Sequence, residues 1–411
     1  MDMRSMNLLL ALVLAAPARA VVLGESARGS AEIPSLPASA VTLSASASSL
    51  TAPSLGGASL LSAPDSSDSP SYSGAALPAA APAAAPAAAT PVAPGLPRSS
   101  APRPDEDARL HAIFARLDRE FPLPATSPAA AVRARVRHQL LSAAREYAEP
   151  EADILEIVAI ESDRALARIQ LRLDAGEINP NHAVRLSEND AEIADGGHAR
   201  IGVYPVAADP FQWGHLLIAL RAVGELGVDK IVFVLAGDDP RKPTMTPVAQ
   251  RHPMGREVLD LFAPFFAYSP IAVGTTLDGE TNIFRILALN PDRRVDAWYM
   301  VGDDHYRLVD KKGNPDTLPK LETNFAAPLG HSQALHELKV AFIQREGQTE
   351  EIPSPFDVRF LDHVGFDASS TMVRSGGRHT LMPYAAYKYA RELSLYGLVP
   401  DPDEGSDPAK N

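Results

Sequence analysis

From Ala199 onward the apolar residues change period, and that change constrains the fold more than any other feature of the chain. Strand-length apolar runs begin to alternate with stretches of helical period. RIGVYPV (200–206) reads as a buried strand, GHLLIALRAVGEL (214–226) as a helix closed by Gly227, KIVFVL (230–235) as a strand and MGREVLDLFAPFF (254–266) as a helix. NIFRILAL (282–289) is a helix, and AWYMVG (297–302), KVAFIQ (339–344) and VRFLDHV (358–364) are strands. SSTMVRSG (369–376) opens a helix, and PYAAYKYARELSLYG (383–397) is a helix with Pro383 near its start and Gly397 just past its end. Strand and helix in alternation predict an α/β fold: a Rossmann-like doubly wound, mostly parallel sheet covered on both faces. Ligands of such sheets sit at the carboxyl ends of the strands.

This pattern occupies residues 196–400; the rest of the 411-residue chain divides by composition. Residues 104–195 carry helical period in DEDARLHAIFARLDREF, AAAVRARVRHQLLSAAREYA and ADILEIVAIESDRALARIQLRLDAG, a small helical region whose Arg and Glu are expected on solvated faces. Residues 21–103 are Ala, Pro, Ser and Gly with few large apolar side chains, so a disordered tether is expected there, and a disordered tail over 401–411. Residues 1–20 combine Arg4, an apolar stretch from Leu8 to Ala16 and the ending Ala18-Arg19-Ala20, the pattern of a signal peptide cut before Val21. That reading implies export to a periplasmic or extracellular location; the alternative is a frayed cytoplasmic N-terminus, which Asp2 favours. The apolar stretch is too short for a membrane span.

The chain has no cysteine, which fits either compartment. Its formal net charge of −13 argues against a nucleic-acid partner, because such binders need a surplus of Lys and Arg. A local anion site is not excluded, and two stretches suggest one. ADPFQWGH (208–215) is the turn from the first strand into the first helix, where unsatisfied N–H groups and a partial positive charge attract phosphate. Gly214 lets a ligand approach the backbone, and the His215 imidazole donates a hydrogen bond toward it. In SSTMVR, hydroxyls at Ser369, Ser370 and Thr371, helix N–H groups and the Arg374 guanidinium converge on one anion. Each pattern alone is also that of an ordinary capped helix; two in one doubly wound domain suggest a triphosphate held at both ends.

With these residues in place the sequence resembles the nicotinate or nicotinamide mononucleotide adenylyltransferases of the nucleotidylyltransferase superfamily. DPFQWGH is similar to the family's DPxHxGH, matching Asp209, Pro210, Gly214 and His215. AGDDPRKPTMTPVAQRHPM resembles its loop after the second strand, with Lys242, Arg251 and Met254, and YMVGDDHY its strand ending in GxD, with Gly302 and Asp304. DASSTMVRSGG resembles SSTxIR through Ser369, Ser370, Thr371 and Arg374, and LMPYAAYKYARELSLYGL resembles the closing LVPxxVxxYIxxxxLY helix. FIQREG falls where the family has a strand leading to an Arg and a Gly.

The resemblance implies adenylyl transfer in NAD biosynthesis, with ATP and a pyridine mononucleotide as partners and Mg²⁺ arriving with the ATP. It implies that His215, Gln212, Lys242 and Arg374 act on the phosphates, that Gly214, Ser369, Ser370, Thr371, Gly302 and Asp304 hold the nucleotide, and that the protein contributes no metal ligands. Thr281, Asn282, Trp213 and Arg251 are the candidates for the mononucleotide, Trp213 by stacking or else simply as a packed side chain, Asp304 as a ligand contact or else a loop carboxylate. The chain departs from the family at Gln212, where HxGH has its first His, and at Pro205-Val206, where the family turn uses glycine. An exported, non-catalytic relative is therefore the alternative, and a sister transferase using CTP a third. His331 and His336 make no metal pair on a helix, since five residues separate them, and the segment 310–332 is expected to be a surface excursion.

Overall fold

Three helices come first: α1 (Pro104–Glu120), α2 (Pro128–Glu146) and α3 (Ala152–Asp174). Local chemistry sets the start of α2, where the Ser127 side chain accepts from the Ala130 N–H at 3.1 Å and Pro128 fills the first helical position, which needs no donor. Strand and helix then alternate through β1 (His198–Val206), α4 (Trp213–Leu226), β2 (Lys230–Leu235), α5 (Val248–Asp260), β3 (Phe266–Ser269), α6 (Gly279–Ala288) and β4 (Arg294–Gly302). The chain continues through α7 (Asp303–Tyr306), α8 (Thr317–Ala326), β5 (Glu337–Gln344), β6 (Val358–Asp362), α9 (Ser370–Gly376) and α10 (Tyr384–Glu392). This computed structural model describes residues 104–193, 197–240, 242–275, 279–306, 308–326, 335–344 and 354–400. The expected leader, tether and tail lie outside the described residues, as do His331 and the Arg and Gly of FIQREG. The chain divides into units Met1–Ala88 and Ala89–Asn411, and everything described falls in the second.

All six strands pair in parallel in the order β3-β2-β1-β4-β5-β6. This is the Rossmann-like doubly wound sheet expected from the alternation, and the order reverses between β1 and β4. Side chains alternate across it: Tyr204, Phe233, Leu235, Trp298, Met300, Ala341 and Leu361 face one core, while Val203, Val232, Val234, Ala297, Tyr299 and Phe342 face the other. Because both faces are covered, the strands read as unbroken apolar runs.

The three leading helices belong to the first of those cores. Leu140 of α2 and Leu155, Val158 and Leu166 of α3 are buried in the same cluster as Leu216, Leu220 and Val223 of α4. Polar contacts fix the docking: the Gln139 side chain accepts from the Ala385 N–H at 2.7 Å, the Tyr147 hydroxyl donates to the Met382 carbonyl at 3.0 Å, and Arg378 pairs with Glu151 at 2.6 Å. Arg135 donates to the Leu261 and Ala263 carbonyls at 2.6 and 2.5 Å, tying α2 to the chain beyond α5. Several charges here are not on solvated faces as expected: Asp163, at 1% exposure, lies between Arg133 and Arg137 at 3.3 and 2.6 Å, since a buried carboxylate needs partners.

Three boundaries differ from those read in the sequence. The helix placed at 254–266 is α5, which begins earlier with Pro253 inside it; the apolar run past Leu261 is a turn followed by the edge strand β3. The last helix stops at Glu392, and Ser394, Tyr396 and Gly397 take left-handed backbone angles of 56°, 54° and 74°. The segment after Leu308 is only partly an excursion, because α8 puts Leu318 and Leu321 into the second core. His336 is buried just ahead of β5 rather than on a helix, and its Nδ1 accepts from the Val295 N–H at 3.3 Å.

A shared core requires shared unfolding. Leu155→Ala, in the helical layer, is expected to cost about 2–5 kcal/mol. The loss should appear equally in helical circular dichroism and in the fluorescence of Trp213 and Trp298, which lie in the sheet domain. Two separated transitions would show that the layer folds independently.

Candidate active site

At the carboxyl end of β1 the chain passes through Ala207, Ala208 and Asp209 and enters α4 at Gln212. Ala208 has a φ of 49°, an uncommon left-handed angle for a residue with a Cβ, and it turns the chain sharply at the point where a ligand would approach. Gln212 is the N-cap of α4 but makes no side-chain cap bond. Its Oε1 is buried with no hydrogen-bond partner, and the residue is 5% exposed. At the start of α5 the Asp238 carboxylate already accepts from Val248 N–H at 2.9 Å. Of the two, α4 keeps its positive end without a carboxylate cap.

The start of α9 lies directly against this turn. Ser370 Oγ donates to the Pro210 carbonyl at 3.0 Å, and Arg374 Nη1 donates to the Asp209 carbonyl at 2.5 Å. A Cβ built on Gly214 would come within 3.4 Å of Ala368 Cβ, so the residue just ahead of the α9 cap lies close to the first turn of α4. Ser369 caps α9 by accepting from Met372 N–H at 3.2 Å, and Gly377 closes the helix with a φ of 64°. Both serines therefore hold protein groups, while Thr371 is exposed and 35% of the Arg374 side chain faces solvent. His215, partly exposed on the first turn of α4, has its ring edge-on to Phe211 and Tyr204, with centroids 6.0 and 6.3 Å away.

Asp209 joins these parts. It is 2% exposed; its Oδ1 accepts from the Tyr396 hydroxyl at 3.0 Å, and its Oδ2 from Thr246 N–H at 3.2 Å, with Arg374 Nη1 at 3.5 Å. Burial raises the Tyr396 pKa above the ordinary phenol value; the bond from Thr246 works against that and the Asp209 carboxylate adds to it. The phenol therefore stays a donor at neutral pH. Thr246 and Tyr396 were not among the residues singled out in the sequence. The LY of the closing motif was a signal for Tyr396, and nothing in the sequence pointed to Thr246.

The remaining candidates separate by face. Thr281 and Asn282 lie in the first turn of α6, on the opposite face of the sheet from α4. Asn282 is 3% exposed and its Oδ1 is buried with no hydrogen-bond partner. The start of α6 sits close over the strand ends: a Cβ on Gly279 would meet the Tyr299 hydroxyl at 3.0 Å and the Pro205 ring at 3.1 Å. Pro205 thus fills space beneath α6, on the side away from His215. Lys242 is exposed on the β2–α5 loop, Gly302 ends β4, and Asp304 is exposed in α7.

Two candidates do not face a ligand in this structure. Trp213 is 0% exposed within the first core, which is the packing alternative rather than stacking on a substrate. Arg251 is also 0% exposed, and its guanidinium donates to the carbonyls of Thr246, Ala207 and Gly237 at 3.1, 2.8 and 3.2 Å. It ties the loop after β1 to the loop after β2, and the arrangement corrects its assignment as a mononucleotide contact. Beside it, His252 Nε2–H donates to the Ala236 carbonyl at 2.9 Å and Nδ1 accepts from the Tyr268 hydroxyl at 2.7 Å; burial lowers the His252 pKa, so the ring is held neutral.

The switch point of the doubly wound sheet thus carries two adjacent helix starts, a guanidinium and an imidazole, an arrangement chemically able to receive an anion. No family model matches the chain. It is 27% identical over 199 residues to a probable nicotinate-nucleotide adenylyltransferase of Neisseria meningitidis serogroup C, covering 48% of this chain and 98% of that protein. It is 29% identical over 211 residues to a probable nicotinate-nucleotide adenylyltransferase of Thermus thermophilus, covering 48% of this chain and 99% of that one. Among solved structures, the Plasmodium falciparum nicotinic acid mononucleotide adenylyltransferase complexed with NaAD aligns at 13% identity with a TM-score of 0.36, over 49% of this chain and 99% of that one. Over about half its length the chain is thus similar to nicotinate-nucleotide adenylyltransferases across nearly their whole length, as its motifs indicated.

The buried position of Arg251 is directly testable. Arg251→Leu leaves three carbonyls short of a donor, at about 1–3 kcal/mol each where they stay buried, so urea unfolding should show a large loss of stability. Unchanged stability with weakened mononucleotide binding would instead restore Arg251 as a substrate contact.

Proposed function

We propose that this protein transfers the adenylyl group of ATP to nicotinate mononucleotide, or to its nicotinamide counterpart, giving the dinucleotide and pyrophosphate. The observation that carries the reading is the bonding of Ser370 and Arg374 to the Pro210 and Asp209 carbonyls in the turn before α4, which brings the helix start bearing Thr371 and Arg374 beside the one bearing Gly214 and His215. The acceptor phosphate oxygen attacks the α-phosphorus of ATP, the bond from that phosphorus to the bridging oxygen of the β-phosphate breaks, and pyrophosphate leaves with its electron pair. The nucleophile is already anionic, so the protein needs no covalent intermediate; its work is alignment and charge stabilisation.

In this reading the uncapped N–H groups of α4 and the His215 imidazole meet the α- and β-phosphates, and Arg374 with Thr371 meets the β- and γ-phosphates. Exposed Lys242 approaches from the β2–α5 loop. The mononucleotide lies toward α6, where the Thr281 hydroxyl can donate to a nicotinate carboxylate and the unpaired Asn282 Oδ1 can accept from the N–H of a nicotinamide. Mg²⁺ enters as MgATP, held by phosphate oxygens and water. Export, carried by the leader pattern of residues 1–20, is part of the same proposal. It is tested by reading the N-terminus of the protein recovered from the extracytoplasmic fraction, with a start at Val21 expected and an uncut chain in the cytoplasm contradicting it.

Turnover is measured as pyrophosphate release from MgATP with each mononucleotide. Arg374→Ala and His215→Ala are each expected to lower kcat by about 10²–10³-fold, the usual cost of removing a donor from a developing charge. Gly214→Ala adds a methyl group that the fold accepts at 3.4 Å from Ala368, so it should leave the melting temperature nearly unchanged while blocking the phosphate approach. Absence of pyrophosphate release from the wild-type chain with either acceptor would overturn the proposal.

A further inference from the structure

Arg374 carries the α9 side of the site, yet it lies beside a buried carboxylate able to capture it. Its Nη1 is 2.5 Å from the Asp209 carbonyl oxygen but 3.5 Å from Oδ2, longer than the 2.7–2.9 Å of a close charged pair. The guanidinium is thus anchored by the main chain and only loosely engaged by the carboxylate. Other donors account for that. Thr246 N–H serves Oδ2 at 3.2 Å, and Oδ1 receives the Tyr396 hydroxyl at 3.0 Å, while the Thr246 hydroxyl in turn donates to the Tyr396 oxygen at 3.2 Å. Thr246 therefore closes a ring of bonds around Asp209 from both ends.

The backbone at Tyr396 is shaped for this contact. A φ of 54° is costly for a bulky side chain and persists where surrounding structure enforces it. Ser394 and Gly397 share the left-handed angle, and His379 Nε2–H donates to the Tyr396 carbonyl at 3.2 Å. The chain beyond α10 is thereby turned back to bring one phenol to Asp209.

We infer that Tyr396 is a positioning residue: its hydroxyl satisfies the Asp209 carboxylate so that Arg374 is held only loosely by that carboxylate and can turn to the triphosphate instead of being drawn into a close ion pair. The inference rests on the proposed triphosphate site and adds to it a residue that touches neither substrate. Without the phenol, Oδ1 becomes a buried acceptor lacking a donor, a condition that Arg374 is the nearest cation to relieve. Triphosphate binding then has to break that new pair.

The test uses the full chain and the variant Tyr396→Phe, which keeps the ring. MgATP affinity by calorimetry and the KM for MgATP should weaken about tenfold, the effect of roughly one hydrogen bond. The KM for the mononucleotide should stay within twofold. Thr246→Val, which removes the hydroxyl that orients the phenol, should act in the same direction by less and serves if Tyr396→Phe folds poorly. In an Arg374→Ala background, Tyr396→Phe should produce no further loss of MgATP affinity. Wild-type affinity in Tyr396→Phe, equal weakening of both substrates, or full additivity with Arg374→Ala would overturn the inference. A wild-type chain that binds MgATP without transferring it, with the tenfold loss in Tyr396→Phe, would uphold the inference and overturn the transfer reading. A wild-type chain that does neither would overturn both.

Discussion

A buried carboxylate must be met by donors or neutralised, and Asp209 is met by groups from three distant parts of the chain. The amide of Thr246 comes from the β2–α5 loop, the guanidinium of Arg374 from α9 and the phenol of Tyr396 from the segment after α10. Satisfying this one group fixes the relative positions of the turn before α4, the start of α9 and the chain terminus of the sheet domain. α9 meets the turn before α4 because Ser370 and Arg374 bond to the Pro210 and Asp209 carbonyls, and that contact is what would give an anion in the proposed site donors on two sides.

The sheet supplies the frame and the leading helices reinforce it. The motif stretches span 201–398, while α1, α2 and α3 precede them and complete one of the two cores. Their polar contacts reach residues 378–385, where Glu151 pairs with Arg378 and donates its N–H to Thr380 Oγ1 at 3.0 Å and Tyr147 and Gln139 bond to Met382 and Ala385, and also α4, where Glu161 pairs with Arg221 and Arg168 with Glu225. Each exposed pair is worth little alone, about 0–1 kcal/mol. Buried aliphatic contacts along α3 and α4 carry the attachment, and the polar contacts set its register.

Much of the frame was legible because burial on both faces writes long apolar runs into the strands. β2 was read at its observed limits, Lys230–Leu235, and the α4 helix with its Gly227 terminus followed from periodicity and a left-handed glycine, φ 67°. β3 was not, because a four-residue edge strand directly follows an apolar turn and continues the look of the preceding helix. The placement of candidate residues at helix starts was legible where local chemistry demands it, as for Gly214 and His215 in the first turn of α4 and Ser369 as the cap of α9. Arg251 was misassigned because the sequence shows a charge near the site but not that the charge points inward to three carbonyls. Tyr396 and Thr246 act through contacts with Asp209 across 187 and 37 residues, separations no local pattern encodes.

In the proposed reaction one triphosphate binds beside the starts of α4 and α9. A crystal structure of the chain with Mg²⁺ and a non-hydrolysable ATP analogue tests it most directly. The account predicts phosphate oxygens within hydrogen-bond distance of the α4 N–H groups, His215 and the Arg374 guanidinium, with the Asp209–Tyr396 bond intact. A nucleotide bound elsewhere, or a site left empty at saturating analogue with Arg374 still turned to Asp209, would contradict it.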